Sequence, residues 1–340
     1  MKFIRKLPIP QEIKNQYPVT EDLAAVKAQR DAEIKDILCG ESRKLLLVIG
    51  PCSADRQSAV LRYISLLRPV ADEVRDKLVI VPRVYTNKPR TSGVGYMGML
   101  HQPDPTGEPD LLKGLIAIRS TYLTILRDYG LTCADELLYP DNYRYLSDLL
   151  SYTAVGARSV ENQYHRLVAS GLDIPVGMKN PVRGDLEAML HAVHAARQSH
   201  AFLYRGWEVV TEGNPLAHGI LRGYKDSTGM DRSNCTEEDL CKLLETFANA
   251  PELRCPLLID TNHSNSGKQY EKQTQIALDV MQSRRKNSEI AKAVRGLMIE
   301  SYLLDGAQAV DGTEEGLSIT DPCLGWEKTK DLIYRIAEQV

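Results

Sequence analysis

The 340-residue chain has no apolar run of membrane-spanning length. It has no hydrophobic leader either, opening instead on the polar, proline-broken MKFIRKLPIPQEIKNQYP. A membrane is therefore not an expected partner. There is no CxxC pair. The seven cysteines (Cys39, Cys52, Cys133, Cys235, Cys241, Cys255 and Cys323) are scattered and odd in number. That argues against a disulfide framework and for a cytoplasmic protein with free thiols. Neither sign of charge dominates: 42 basic and 45 acidic side chains leave a net −3. No contiguous basic stripe is interleaved with aromatics, so nucleic acid is not expected. Small anionic substrates stay open, because they need only a local basic pocket. No internal repeat and no low-complexity linker divides the chain.

What is present is alternation. Residues 1–40 read as an N-terminal extension, helical over 20–38 with Leu23, Val26, Ile34 and Leu38 on one face. That face offers an oligomer contact, or packing on the chain's own barrel. Residues 41–340 read as one catalytic unit. Candidate strands are 45–49, 78–84, 132–138, 154–158, 174–178, 201–204, 219–222, 256–260 and 296–300. Candidate helices are 56–73, 110–129, 141–151, 160–170, 185–198, 236–249, 268–284 and 326–338. Strand–helix repetition of this kind predicts a parallel α/β fold, either a barrel or a doubly wound sheet. The doubly wound fold more often carries a glycine-rich loop after its first strand, where this chain has GPCS. Nine strands are one too many for an eight-stranded barrel, so one within 201–222 is expected to belong to an inserted hairpin.

Polar residues gather where the apolar runs stop: Cys52, Arg83, Glu136, Arg158, Lys179, Arg222, Asp260, His263 and Glu300, with Asp321 in a later loop. In a barrel these positions face one mouth. Cys52, His263, Glu300 and Asp321 form a candidate ligand set for a divalent transition ion such as Mn²⁺, Fe²⁺, Co²⁺ or Zn²⁺. Taken singly, Cys52 reads equally as packing and His263 as a turn residue, and spacing leaves both readings open. Arg83, Lys88, Arg90, Arg158, Lys179 and Arg222 would make a pocket for a ligand with at least two anionic groups. The alternative is salt bridges to strand-end acids.

Several stretches carry a specific resemblance. They are IGPCS at 49–53, PRVY at 82–85, KPRT at 88–91 and GARSVENQYHRLVASGL at 156–172. PVGMKN at 175–180, ILRG at 220–223, IDTNHSNSGKQ at 259–269, GLMIESYLLDGAQ at 296–308 and GLSITDPCLGW at 316–326 follow. In these motifs, from about residue 15 to the C-terminus, the chain resembles the type I 3-deoxy-D-arabino-heptulosonate 7-phosphate (DAHP) synthases. The match is most specific in their microbial branch regulated by aromatic amino acids, of which it looks like a divergent paralogue.

The resemblance implies a TIM (β/α)8 barrel with an N-terminal extension and a late inserted β-hairpin. It implies a cytoplasmic homodimer or homotetramer in the shikimate pathway. The activity would be 3-deoxy-7-phosphoheptulonate synthase, a metal-dependent condensation of phosphoenolpyruvate with D-erythrose 4-phosphate. Cys52, His263, Glu300 and Asp321 would be the metal ligands. Arg83, Arg158, Lys179 and Arg222 would anchor phosphoenolpyruvate, and Lys88, Pro89, Arg90 and Thr91 would hold the aldose phosphate. Lys88, Glu136, Lys179, His263 and Asp321 would carry the catalysis, with Lys88 delivering a proton and Glu136 orienting water. Acid–base work by Asp321 is the alternative to its ligation.

The departures lie around the substrates. A lysine usual in the family is Met97, in a loop one residue longer than usual. The motif after Lys179 runs Asn180-Pro181-Val182-Arg183-Gly184, and ILRG is followed by Tyr224. They leave open a different aldose phosphate as acceptor, or a non-catalytic sensor of phosphorylated metabolites. Tyr204, Asp173 and the run 139–144 alter the effector site of the branch. Tyr204 is expected to fill it, leaving inhibition by aromatic amino acids weak, absent or redirected.

Overall fold

The first long apolar run is buried on both faces. Leu46 and Val48 turn to one side, Leu45, Leu47 and Ile49 to the other, and the two sets join different clusters. A strand apolar on both faces needs cover on both, which a parallel sheet wrapped by helices supplies. The computed structural model, which describes residues 1–340 apart from Thr91, Ser92 and Val94, has that arrangement.

The extension gives α1 (Pro10–Gln16) and α2 (Glu21–Cys39). The barrel then runs β1 (Leu45–Gly50), α3 (Gln57–Glu73), β2 (Leu78–Pro82), α4 (Leu111–Tyr129), β3 (Cys133–Glu136) and α5 (Pro140–Leu146). Next come β4 (Leu150–Val155), α6 (Gln163–Ala169), β5 (Val176–Lys179) and α7 (Leu186–Ala196). An antiparallel hairpin, β6 (Ala201–Tyr204) and β7 (Trp207–Val210), precedes β8 (His218–Leu221). A two-residue pair, β9 (Tyr224–Lys225) and β10 (Asp231–Arg232), follows it. The chain closes with α8 (Glu237–Asn249), β11 (Leu257–Asp260), α9 (His263–Ser266), α10 (Lys272–Lys286), α11 (Ser288–Ala293), β12 (Val294–Glu300) and α12 (Trp326–Ala337).

Eight parallel strands stand in the order β2-β1-β12-β11-β8-β5-β4-β3. The ring closes between β2 and β3 through the bridge of Arg83 with Ala134. This is a (β/α)8 barrel with a helical extension and a late inserted hairpin, as the resemblance implied. The surplus strand is 201–204, which pairs with 207–210 outside the barrel.

Several boundaries differ from expectation. The helix expected over 141–151 ends at Leu146, and β4 starts at Leu150 rather than 154. Ser151 and Thr153 do not mark a strand by hydropathy, yet both are buried, Thr153 Oγ1 donating to the Asp135 carbonyl at 3.0 Å. The helix expected from 268 starts at 272, because Lys268 sits at φ 60° just after a left-handed Gly267. Helix α1 forms despite its prolines: Pro10 occupies its first turn, where a missing N–H costs nothing.

The extension closes the lower mouth. Ile34, Ile37 and Leu38 of α2 pack with Leu46, Val48, Val79 and Leu258 inside the ring. Arg119 of α4 is fully buried and fastens the start of the extension. It holds Asp148 through two 2.8 Å bonds and the Tyr17 carbonyl at 2.7 and 2.9 Å. Among the described residues no helix is long and apolar enough to cross a membrane.

Within the ring, His218 Nδ1 faces the Leu216 carbonyl at 2.9 Å and Nε2 faces the Tyr152 hydroxyl at 2.8 Å. A carbonyl can only accept, so Nδ1 carries the proton and Nε2 accepts from Tyr152. Burial pushes the imidazole down to about 4 from its ordinary 6.5. As pH falls the unfolded chain takes up this proton first, so stability falls between pH 6.5 and about 4. The shift corresponds to a loss on the order of 3 kcal/mol. His218→Gln keeps an acceptor for Tyr152 without titrating. Urea midpoints at pH 7 and pH 4.5 are expected to differ less in this variant than in the parent.

Candidate active site

The upper mouth is built from strand ends and the turns behind them. Cys52 lies two residues beyond β1, its backbone N–H donating to Cys323 Sγ at 3.4 Å. Glu300 ends β12 with both carboxylate oxygens held. Arg83 Nη2 donates to Oε1 at 2.9 Å and Asn262 Nδ2 to Oε2 at 2.6 Å. Asp321 belongs to the loop after β12. There Ser318 Oγ donates to the Asp321 carbonyl at 2.8 Å, and Thr320 Oγ1 meets Ser53 Oγ at 2.9 Å. The outcome is that one donor atom each from Cys52, Glu300 and Asp321 lies within 4.8 Å of the others. A thiol with two carboxylates, mostly buried, suits a divalent transition ion and not a sulfur-rich structural zinc site.

His263 stands beside this triad. Its Nε2 is 3.9 Å from Glu300 Oε1, and its Nδ1 is 2.9 Å from Asp260 Oδ2, off the line of a hydrogen bond. The residue sits at φ 49°, a conformation costly for a side chain with a Cβ. The Arg222 carbonyl pins the turn by accepting from Ser264 and Asn265 N–H at 3.1 and 3.3 Å. Burial lowers the imidazole below its ordinary value, partly offset by Asp260. A neutral ring is the form that can ligate.

The charges are interlocked. Lys88 Nζ lies 2.7 Å from Cys52 Sγ and 3.0 Å from Asp321 Oδ2, and Lys268 Nζ lies 3.1 Å from Asp321 Oδ1. Burial would raise the Asp321 carboxyl, but Lys88 and then Lys268 bring it well below the usual carboxylate range. Burial pushes the Cys52 thiol up, Glu300 adds to this, and Lys88 opposes it. The Arg83 guanidinium is buried, lies 3.7 Å over the Tyr85 ring and donates to the Pro51 carbonyl. Burial would lower it, but Glu300 raises it above its ordinary value. Lys179 Nζ pairs with Asp260 Oδ2 at 2.9 Å.

These groups line a cavity of about 210 Å³ with Pro89, Arg90, Glu136, Arg158, Lys179 and Arg222. Every expected site residue except two is on its wall. Glu300 lies beneath it, and Thr91 lies outside the described residues. Eight arginines and lysines face three carboxylates there. Arg222 is buried with Nη1 unpartnered, and burial lowers its guanidinium. Arg158, in the turn after β4 rather than at a strand end, makes no ion pair among the described residues. The wall also holds Lys225, Asp231 and Lys268, which sequence reasoning gave no role. Lys268 lay inside the 259–269 motif, and Asp260 was noted only as a strand-end acid. The β9–β10 pair that brings Lys225 and Asp231 inward has no periodic signal at two residues per strand.

Residues 16–333 match the family model described as the DAHP synthetase I family. The chain belongs to the DAHP synthetase I family. It is similar to the Phe-sensitive phospho-2-dehydro-3-deoxyheptonate aldolase of Escherichia coli K12, at 38% identity over 100% of this chain and 96% of that one. It is similar to the Trp-sensitive relative from the same strain, at 36% over 99% and 96%. Among solved structures, a phospho-2-dehydro-3-deoxyheptonate aldolase of Francisella tularensis SCHU S4 superposes with a TM-score of 0.92. Its identity is 30%, covering 100% of this chain and 98% of that one.

One expectation drawn from the departures within the family needs correcting. Tyr204 does not fill the space beside the hairpin. Its ring lies 6.1 Å from Phe202 and 6.3 Å from Tyr164, against a wall. A cavity of about 450 Å³ remains, lined in part by Tyr143, Arg144, Asp173 and Tyr204. Loss of room is therefore no reason for altered inhibition. Only the changed polarity of the lining remains as one.

Cys52→Ser removes the one soft donor of the triad. The variant is expected to hold Mn²⁺ or Co²⁺ more weakly by at least the ~10–100-fold that loss of a supporting residue costs. Metal content after dialysis against graded chelator checks this. Stoichiometric, parent-like metal in the variant would remove Cys52 from the donor set.

Proposed function

We propose that the cavity condenses phosphoenolpyruvate with D-erythrose 4-phosphate, giving DAHP and inorganic phosphate (EC 2.5.1.54). The observation that carries this reading is a metal-suited donor triad, two of whose members line a cavity whose other charged groups are overwhelmingly cationic. Membership of the family supports it over residues 16–333.

In this proposal Cys52, His263, Glu300 and Asp321 hold a divalent ion, which when bound supplies Lewis-acid polarisation of the acceptor aldehyde. Everything else falls to the chain's own groups. Arg158 and Arg222 have donors to spare and anchor the carboxylate and phosphate of phosphoenolpyruvate. Arg83 and Lys179 are already paired with Glu300 and Asp260, so they shape the potential and add weaker contacts. Lys88, Pro89, Arg90 and Thr91 hold the aldose phosphate. The enol carbon forms a bond to the aldehyde carbon. Water adds at the carbon that carries the phosphate ester; one of its protons restores the proton Lys88 gives up, and the other leaves with phosphate as the C–O bond breaks to give the ketone. Lys88 delivers a proton to the developing alkoxide, and Glu136 orients the water. Holding two anions together is the largest demand, and preorganised cations meet it without reorganising during the reaction.

A second reading keeps the chemistry and changes the aldose phosphate. It is favoured by Lys225 and Asp231, paired at 3.2 Å on the cavity wall. Assembly as a homodimer or homotetramer is part of the proposal. Its support is exposed apolar surface at Leu203, Trp207 and Val210 on the hairpin and at Phe3 and Ile4. A cytoplasmic setting is supported by the seven free cysteines.

Phosphate release is expected with phosphoenolpyruvate plus erythrose 4-phosphate in Mn²⁺, and not with phosphoenolpyruvate alone. Turnover only with a five-carbon acceptor would select the second reading, and no turnover with any aldose phosphate would sink both. Arg222→Met is expected to lower kcat/KM for phosphoenolpyruvate by about thirtyfold or more, the ~2–5 kcal/mol of a desolvated charge contact.

A further inference from the structure

The barrel has one weak seam. Strands β1 and β2 are in register over five pairs, whereas β2 and β3 share only the Arg83–Ala134 bridge. The bond from Val84 N–H to the Ala134 carbonyl, 2.9 Å, continues it. Beyond it the two strands lead directly into the site. One side becomes the loop of Lys88 and Arg90, and the other ends in Glu136. Something must hold these ends in register.

Asp135 occupies that place. Its Oδ1 accepts from Thr86 N–H at 2.9 Å and from Glu136 N–H at 2.7 Å. Its Oδ2 accepts from Thr86 Oγ1 at 2.5 Å and from the Tyr122 hydroxyl at 2.8 Å. Tyr122, on α4, also reaches the Val84 carbonyl at 2.6 Å. All three side chains are buried. Burial pushes the Asp135 carboxyl up to about 6, with the Thr86 and Tyr122 donors opposing that rise, so it is ionised at neutral pH. The network runs on: Asn87 Nδ2 donates to Thr86 Oγ1 at 3.3 Å, and the Thr86 carbonyl accepts from Leu100 N–H at 3.1 Å. Lys88 N–H donates to the Met97 carbonyl at 3.0 Å, closing the loop on itself. Gly98, at φ 100°, lies against the Thr86 carbonyl with no space for a Cβ.

We infer that Asp135 is a positioning residue for the reaction, its carboxylate tying the loop that presents Lys88 and Arg90 to the strand that presents Glu136. The inference rests on the proposed grip of the aldose phosphate by residues 88–91. A buried carboxylate that accepts three bonds from Thr86 and its own strand, and shares the Tyr122 proton with the Val84 carbonyl, fixes these elements more tightly than backbone pairing at this seam can. Phosphoenolpyruvate is held chiefly by Arg158, after β4, and Arg222, after β8, and only the weaker contact of Arg83 comes from the seam.

The test uses the metal-loaded full chain and two variants, Asp135→Ala and the milder, near-isosteric Thr86→Val. In both, KM for erythrose 4-phosphate is expected to rise, by about tenfold in Asp135→Ala and less in Thr86→Val. KM for phosphoenolpyruvate should stay within about twofold, since its main anchors, Arg158 and Arg222, stand on other strands and Arg83 adds only a weaker contact. Amide exchange at residues 86–88, read by mass spectrometry, should accelerate in Asp135→Ala. Unchanged exchange and unchanged KM in both variants overturn the inference. So does a parallel rise in both KM values, which marks general loosening. Faster exchange with an unchanged KM for erythrose 4-phosphate supports the clamp and sinks the proposed 88–91 grip instead. Should Asp135→Ala fail to fold, Thr86→Val alone decides through the same KM split.

Discussion

The upper mouth depends on the ion pair of Arg83 with Glu300. The two side chains meet at 2.9 Å with only 3% and 1% of their surfaces exposed. Neither could be buried alone, since an unpaired charge at such depth costs several kcal/mol. Paired, they fix each other. Glu300 then presents an oxygen toward Cys52 and Asp321, and Arg83 is locked in the cavity wall, stacked on Tyr85. The same logic repeats one strand over, where Asp260 holds Lys179 and stands next to His263. Arg83 and Lys179 are each aimed by a buried partner of opposite charge, and the two members of each pair sit at the ends of strands with one strand between them, β1 in the first case and β8 in the second.

The ring thereby separates two jobs by depth. Its lower third is apolar and stoppered by Ile34, Ile37 and Leu38 of the extension. Its middle carries one neutral polar pair, Tyr152 with His218, satisfied within itself. Its top is charged. A rigid, dry base below a charged mouth suits electrostatic preorganisation, because the dipoles and charges cannot relax toward water.

Much of this was legible in the sequence, for identifiable reasons. Strands β1, β2, β11 and β12 are continuous apolar runs, and the residue at or just after each end is polar because it leaves the core for the mouth. That contrast marked Cys52, Arg83, Asp260 and Glu300 before any geometry was known. Which run within 201–222 was the hairpin strand stayed open in the sequence, because Phe202 and Tyr204 alternate inward as a barrel strand would and pack against the large core cluster. The β4 start was hidden by Ser151 and Thr153, polar residues whose partners are remote in sequence. Asp135 was invisible for a different cause. Beside Glu136 it reads as one more strand-end acid, and only the fold reveals that Thr86 and Tyr122 converge on it.

The charge inventory itself argues for what the cavity is built to take. Most buried cations here have a carboxylate or thiol partner: Arg83, Lys88 and Lys179 each do. Arg222 is the exception, buried with Nη1 unsatisfied and with Arg158 adding to its unfavourable surroundings. A fold able to supply partners for three buried cations within a few ångströms could have supplied one more. Leaving the buried Arg222 under-paired, with the exposed Arg158 adding like charge nearby, is costly in the folded chain, and a dianion bound there would recover that cost. The unfilled valence thus lies on the β4 and β8 side, away from the metal-suited triad.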